Sequence, residues 1–426
     1  MNSSTFFVLF IGFLLTTLIL KVWLNTRHIR HIQRHRAQVP PAFASKISLE
    51  AHQKAADYTI AKTKFGLILL FVNAVVLLGF TVFGGLQWLS TTLFAALGPG
   101  MWYQMGLLVA FSAVSSLIDL PSDYYNQFVL EEKFGFNRMS LQLWLTDMVK
   151  NTVIGAVTGL PLFWLFLTFM AKAGDLWWVY AACVTIGFMF LMQVLWPAVF
   201  MPWFNKFEPM KDVALKTRLE SLMQRVGFGA RDLFEMDGSK RSGHGNAMFV
   251  GMGSKKRIVF YDTLMANLSH GEIEAILAHE LGHFMLKHVV KRLVYMSVFM
   301  FGIFFLINYL KNQLWFYEGL GVTPILIGEH QNDVMALLLF SLIPQVFSFV
   351  FSPLLSIASR KQEYEADAFA AEHASADELI SGLVKTYEEN AATVTPDPLR
   401  SKFYDSHPPA ALRIAHLEAL RGARAS

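Results

Sequence analysis

Seven apolar runs dominate this chain of 426 residues, and each is about 20 residues long, the length of helix that crosses a bilayer. They fall near 4–24, 65–88, 101–121, 152–171, 177–199, 293–313 and 336–357. In a hydrocarbon core every backbone N–H and C=O must be satisfied within the chain, so such runs are read as helices. Composition agrees, with 54% hydrophobic and 16% charged residues, and excludes an ordinary soluble enzyme. The third and seventh runs carry Ser112, Ser115, Ser116, Gln345 and Ser348, which suit helix contacts or a wet interior better than lipid.

Basic residues orient the spans. The segment after the first run holds Arg27, Arg30, Arg34, Arg36, Lys46, Lys54, Lys62 and Lys64, whereas the turn between the second and third has neither Lys nor Arg. The first loop is therefore read as cytoplasmic and the N-terminus as outside. Alternation then places 122–151, 200–292 and the C-terminus inside, and 172–176 and 314–335 outside. The two segments richest in polar chemistry, 204–292 and 358–426, land on one side, as they must if they build one site. No basic residue precedes the first run, so it reads as an anchor rather than a cleaved signal peptide.

Cys183 is the only cysteine, which excludes an intramolecular disulfide and any Cys-based zinc finger; it reads as a small buried apolar residue. The net charge of +4 is accounted for by cytoplasmic loops and calls for no nucleic acid. Short loops favour a bacterial plasma membrane; in a eukaryote the chain would sit in the endoplasmic reticulum. Oligomeric state is open.

Against this apolar background stands His279-Glu280-Leu281-Gly282-His283. On a helix, positions i and i+4 share a face one turn apart, so both imidazoles can hold one Zn²⁺ while Glu280 leans over its water. The neighbours Ala275, Ile276, Leu277, Ala278 and Phe284 are apolar. Burying two histidines and a carboxylate among them would be costly without a metal. Lys291 and Arg292 are expected to close this helix just before the sixth span.

A catalytic zinc needs a third protein ligand, leaving one position open. The candidate lies beyond the seventh run in a stretch read as its helical continuation, where Glu363 and Asp367, four apart, share a face and Glu365 points about 200° away. Glu363 is read as the ligand, with Asp367 behind it accepting the second N–H of a ligand histidine. An ion pair of Glu363 with Arg360 is the competing explanation, and Glu365 is read as solvated. Zinc held by His279, His283 and Glu363 would bring the pKa of its water to about 7 and polarise a carbonyl, with Glu280 moving the proton.

Residues 243–250 and 257–261 read as a β-hairpin around Gly251-Met252-Gly253-Ser254. His244, between two glycines, reads as a surface residue, and His288 and His416 as packing or interfacial histidines. The boundaries follow as membrane helices one to five in 1–203, a peptidase segment in 204–292, helices six and seven in 293–357, and the rest of the peptidase domain in 358–426.

These residues, with Ser406-His407-Pro408-Pro409, the 128–137 block Phe128 to Asn137 and Asp237-Gly238-Ser239-Lys240-Arg241-Ser242, resemble the integral-membrane zinc endopeptidases called type I CAAX prenyl proteases. The resemblance covers nearly the whole chain. It implies a mainly α fold, with seven membrane helices around a water-filled chamber and a zincin-like peptidase domain at the cytoplasmic end carrying a small hairpin or sheet.

It also implies one Zn²⁺ per chain and removal of the last three residues from a prenylated Cys-a-a-X terminus, so the partners are a peptide or protein substrate and the bilayer. Some relatives make a second cut further upstream. Residues Asn246, Ala247, Met248 and Phe249 become the sheet edge that takes substrate as an added strand; a purely structural hairpin is the alternative. His407 becomes the oxyanion donor, and Arg413 holds that region or pairs with substrate. On the residues alone, Pro408 at a helix start and Arg413 on a solvated face explain that block without catalysis.

Two other readings stay open. A membrane quality-control zinc protease shares the metal motif and the Glu363 helix, although such enzymes have fewer spans. A zinc-binding transporter or receptor explains seven spans but leaves Glu280 without a task.

Overall fold

The computed structural model describes residues 1–229, 232–250, 257–325 and 333–425. Each of the seven apolar runs lies on a helix long and apolar enough to cross a membrane: Ser3–His35, Leu49–Phe80, Met101–Glu131, Leu141–Lys172, Gly174–Phe204, His288–Leu310 and the segment Asp333–His373. In the first six, at most 22% of the apolar window is buried. Most of their apolar surface therefore stays outside the protein core, while one cluster including Phe10, Leu77, Tyr103, Leu167 and Trp177 packs the helices together. The fold is mainly helical with one small mixed sheet.

The helices differ in length from the apolar runs, and the difference positions the site. Leu49–Phe80 and Leu141–Lys172 have 32 residues each, about 48 Å at the α-helical rise, against a hydrocarbon core about 30 Å thick. The extra turns carry Tyr58, Lys62 and Asp147 beyond the apolar stretch toward the peptidase region. The second helix also starts and stops earlier than its apolar run. It ends at Phe80, Gly84 turns the chain at φ 79°, and a separate helix occupies Gly85–Leu97. The seventh span is interrupted rather than continuous, with Ile343 and Pro344 dividing Asp333–Leu342 from Pro344–Ser348 and Ser352–His373; proline at 344 lacks the N–H that the preceding turn would bond. Cys183 is exposed on its membrane helix, not buried.

At one end of the membrane helices sits a hydrophobic core separate from the cluster among them. It joins Phe43 and Ile47 from the first loop, Leu215, Leu219 and Leu222, Leu277, Ala278 and Leu281, and Ala370, Ile414 and Leu417. The first loop, the 204–292 segment and the C-terminal segment therefore lie on one side of the helices, as alternation requires.

The sheet has the order β1-β2-β4-β3, from β1 (Phe207–Pro209), β2 (Asp232–Met236), β3 (Ala247–Val250) and β4 (Arg257–Tyr261). The expected hairpin is β3 with β4, antiparallel with Ala247 opposite Phe260 and Val250 opposite Arg257. It is shorter than the 243–250 segment and belongs to a four-stranded sheet through the parallel β2–β4 pair. The turn Gly251-Met252-Gly253-Ser254 lies outside the described residues.

Two sequence blocks meet at the junction with the membrane helices. Arg241 grips Asp147 of the Leu141–Lys172 helix with Nε and Nη2 at 2.7 and 3.0 Å, and Asn137 bridges to Ser242. A bidentate guanidinium–carboxylate pair fixes orientation as well as distance, so the peptidase region is locked onto these helices.

Candidate active site

The helix that carries the metal motif spans His270–Met285. Ser269 and Glu272 form a reciprocal capping box, the Ser269 hydroxyl accepting from the Glu272 N–H at 3.2 Å and the Glu272 carboxylate from the Ser269 N–H at 2.7 Å. Glu274 ties the same helix to Arg218 and Arg225 at 2.5 and 2.9 Å. Leu277, Ala278 and Leu281 bury one face, leaving His279, Glu280 and His283 on the other. The helix ends at Met285 rather than at Lys291 and Arg292, because Lys287 turns left-handed and a new helix starts at His288.

Against it packs Ser352–His373, started by Pro353 in the first turn, where proline is tolerated. It brings Glu363 between the histidines. Glu363 Oε2 lies 3.4 Å from His279 Nε2, and Oε1 lies 3.3 Å from His283 Nε2. A tetrahedral ion with bonds of about 2.0–2.1 Å to such atoms separates them by roughly 3.3–3.4 Å. Glu363 Oε2 is buried yet takes no hydrogen bond, the mark of a lone pair kept for a cation. His279, His283 and Glu363 are the metal-capable triad among the described residues, and they fit one ion. The ion pair of Glu363 with Arg360 does not form; Arg360 instead donates to the backbone carbonyls of Ser401 and Asp405.

Asp367 is fully buried and lies 2.8 Å from His279 Nδ1. Arg413, also buried, donates to both Asp367 oxygens, from Nε at 2.9 Å and Nη2 at 2.6 Å. The guanidinium stands 3.8 Å from Glu363 Oε2, so it faces the site from behind and not from a solvated surface. Burial by itself would lower the pKa of His279, but the contacts with Asp367 and Glu363 outweigh it and hold the ring up at about 9.

Glu280 is half-buried, and no hydrogen bond or ion pair from a described residue engages its carboxylate. His407 is exposed at the rim, with Nε2 3.4 Å from Glu363 Oε1. The Ser406 hydroxyl sits 2.9 Å from His407 Nδ1; donating there leaves the ring proton on Nε2, toward the site. Although the ring edge is exposed, the protein packed around it partly desolvates it and lowers the pKa of His407, with Glu363 opposing.

A cavity of about 1310 Å³ opens beside His407 and Asn246, lined further by Tyr58, Lys62 and Leu69 from the second membrane helix and by Lys21 and Asn25 from the first. Asn246 accepts from the Tyr261 N–H at 3.0 Å. Along β3, Ala247 and Phe249 pack into the peptidase core and Met248 against Met236 and Val259. The outer side of β3 faces no other described strand.

Three residues carry roles that sequence reasoning did not assign. His288, read as a packing histidine, is buried between His283 and Glu365, and Glu365 accepts its hydrogen bond instead of standing in solvent. His244, read as a surface residue, stacks on Phe136 at 4.2 Å and lies 3.2 Å from Asn390 Oδ1. Asn390 also accepts from the Gly245 N–H at 3.0 Å, one residue before Asn246. A histidine five residues after His283 was the visible signal for His288; none pointed to Asn390.

Comparison with known proteins places the whole chain in one family. Residues 28–206 match the model "CAAX prenyl protease N-terminal, five membrane helices", and 209–421 match "Peptidase family M48". The chain is 34% identical over 408 residues to CAAX prenyl protease 1 of Saccharomyces cerevisiae, covering 89% of this chain and 88% of the relative. It is 29% identical over 443 residues to the Homo sapiens CAAX prenyl protease 1 homolog, covering 92% and 91%. The crystal structure of S. mikatae Ste24p superposes with a TM-score of 0.89 at 30% identity, over 97% of this chain and 99% of that one. These relatives are eukaryotic and lend no support to a bacterial source. The chain belongs to the CAAX prenyl protease family of membrane metalloendopeptidases, in peptidase family M48.

Proposed function

We propose that the chain hydrolyses a peptide bond near the C-terminus of prenylated CaaX-type substrates, releasing the aaX tripeptide, with one Zn²⁺ held by His279, His283 and Glu363. The observation that carries this reading is the convergence of His279, His283 and Glu363, whose ligand atoms lie within 4.8 Å of one another, with each histidine Nε2 3.3 to 3.4 Å from a Glu363 carboxylate oxygen, next to a cavity of about 1310 Å³ whose wall includes membrane helices. A prenyl chain can lie along such a wall while the peptide reaches the donors. When bound, zinc would supply Lewis-acid polarisation of the carbonyl and a nucleophile at neutral pH.

The remaining roles belong to side chains. Glu280, whose carboxylate has no partner among the described residues, takes the proton of the attacking water and delivers it to the leaving amine. His407 donates from Nε2 to the oxyanion, Asp367 accepts from His279 Nδ1, and Arg413 holds Asp367 rather than touching substrate. The stretch 246–249 pairs with the peptide backbone as an added strand. The peptidase domain, built from 204–292 and 358–426, faces the cytoplasm, with 1–203 and 293–357 forming the membrane part.

The test is hydrolysis of a farnesylated CaaX peptide beside the same peptide without the lipid. Preference for the farnesylated form supports the reading; equal cleavage of both favours a quality-control protease, and cleavage of neither removes the proposal.

A further inference from the structure

The chain breaks its helix immediately after the motif. Lys287 adopts φ 59° and ψ 29°, and only Lys287 and Ala391 among the described non-glycine residues have positive φ. This conformation is disfavoured for a lysine and marks a place where the surroundings enforce it. Its effect is to start the next helix at His288 and swing that ring back against His283.

His288 is 3% exposed. Its Nδ1 lies 3.0 Å from His283 Nδ1, and its Nε2 lies 2.9 Å from Glu365 Oε2. An ionised carboxylate only accepts, and Lys361 stands 3.9 Å from the other Glu365 oxygen. His288 therefore carries its proton on Nε2 and offers the Nδ1 lone pair. Across 3.0 Å the facing nitrogen must donate, so His283 carries its proton on Nδ1. That leaves the lone pair of His283 on Nε2, the atom 3.3 Å from Glu363 Oε1.

We infer that His288 and Glu365 are positioning residues that lock His283 into the tautomer and ring orientation needed to bind the metal. The inference rests on His283 being a ligand. It gives the two histidines parallel supports: Asp367 reaches His279 directly, whereas Glu365 reaches His283 through the His288 ring. One helix then supplies the ligand Glu363 and, two and four residues on, both outer carboxylates.

The experiment uses the full-length protein in detergent, stripped of metal and titrated with zinc against a chromophoric chelator. His288→Phe keeps an apolar ring but ends the relay, and zinc affinity should fall 10- to 100-fold, the usual effect of losing such a support. His288→Gln can accept from His283 and donate to Glu365, so it should restore most of the affinity. Glu365→Leu, at a partly exposed site, should weaken zinc while leaving the thermal midpoint of the metal-free protein in place. Cobalt-loaded His288→Phe should show shifted visible bands. Wild-type zinc affinity in both His288→Phe and Glu365→Leu, in a protein where His283→Ala abolishes binding, overturns the relay. Retained zinc in His283→Ala would instead remove the ligand reading beneath it.

Discussion

Gly282 and Ala366 meet where the two helices that carry the proposed ligands cross: a Cβ at Gly282 would lie 3.0 Å from the Ala366 Cα and 3.1 Å from the Phe369 Cβ. Backbone cannot yield as a flexible side chain can, so this contact sets the distance from His279 and His283 to Glu363. Gly282→Ala should force the helices apart, destabilise the fold by about 1–3 kcal/mol and reduce zinc per chain. Elemental analysis and thermal unfolding of the variant check both. Full zinc content would show that the helix spacing does not depend on this glycine.

Glu280 lies between the proposed ligands in sequence, but its carboxylate has no partner among the described residues. Replacing it should separate chemistry from metal binding. Glu280→Gln is expected to keep zinc and to lose about 10²–10⁴-fold in kcat, the range for general acid–base catalysis. His279→Ala and Glu363→Ala should lower zinc itself. Zinc stoichiometry and peptide turnover, measured on one preparation, distinguish the two classes.

His279 gives a pH dependence with a definite sign. Its pKa before a metal binds stands at about 9, above the ordinary 6.5. The protonated ring therefore stabilises the metal-free protein fully below about 6.5, and that contribution is lost as pH rises through about 9. Zinc binds the deprotonated ring, so loading at pH 7 should release close to one proton from His279, and zinc affinity should rise toward pH 9. Calorimetry in buffers of different ionisation enthalpy counts the protons. No release at pH 7 would mean that His279 is already neutral.

The spans, the motif and the grouping of Glu363 with its two histidines were legible because each rests on a local period: about 20 residues for a bilayer, and four for a helix face, which joins His279 to His283 and Glu363 to Asp367. What escaped depends on pairing across the chain. Met236 opposite Tyr261 is a parallel register 25 residues apart, and nothing in the β2 sequence announces it. Asn390 reaches Gly245 across 145 residues. The early end of the motif helix turns on a lysine in a conformation that sequence reading assigns to glycine. Cys183 was read from its side chain, but its helix is little buried and leaves it exposed.

His407 and Ser406 form a tautomer device that kinetics can read. His407→Ala removes the proposed oxyanion donor and should cost about 10²–10³ in kcat, with KM little changed. Ser406→Ala removes the hydroxyl 2.9 Å from Nδ1 and lets the ring proton move away from the site, so its loss should be smaller and of the same kind. Zinc content should stay level in both. A rise in KM with unchanged kcat would assign His407 to substrate binding instead.

Asn390 holds the start of the edge strand, accepting from the Gly245 N–H at 3.0 Å and donating to the Gly245 carbonyl at 3.4 Å. Ala391 follows at φ 43°, so the turn that presents this amide is itself under strain. If substrate pairs with 246–249, its affinity depends on that strand being held before binding, since ordering it afterwards would draw on binding energy. Asn390→Ala loses both hydrogen bonds, and loss of the shorter one alone, worth about 0.5–1.5 kcal/mol, corresponds to a rise in KM of roughly 2- to 13-fold with kcat and zinc content unchanged. Asn390→Asp retains the acceptor for the Gly245 N–H and should fall between the two. Steady-state kinetics on one peptide would settle the order. An unchanged KM in Asn390→Ala would mean that β4, through the bond from the Tyr261 N–H to the Asn246 carbonyl, suffices to hold the edge.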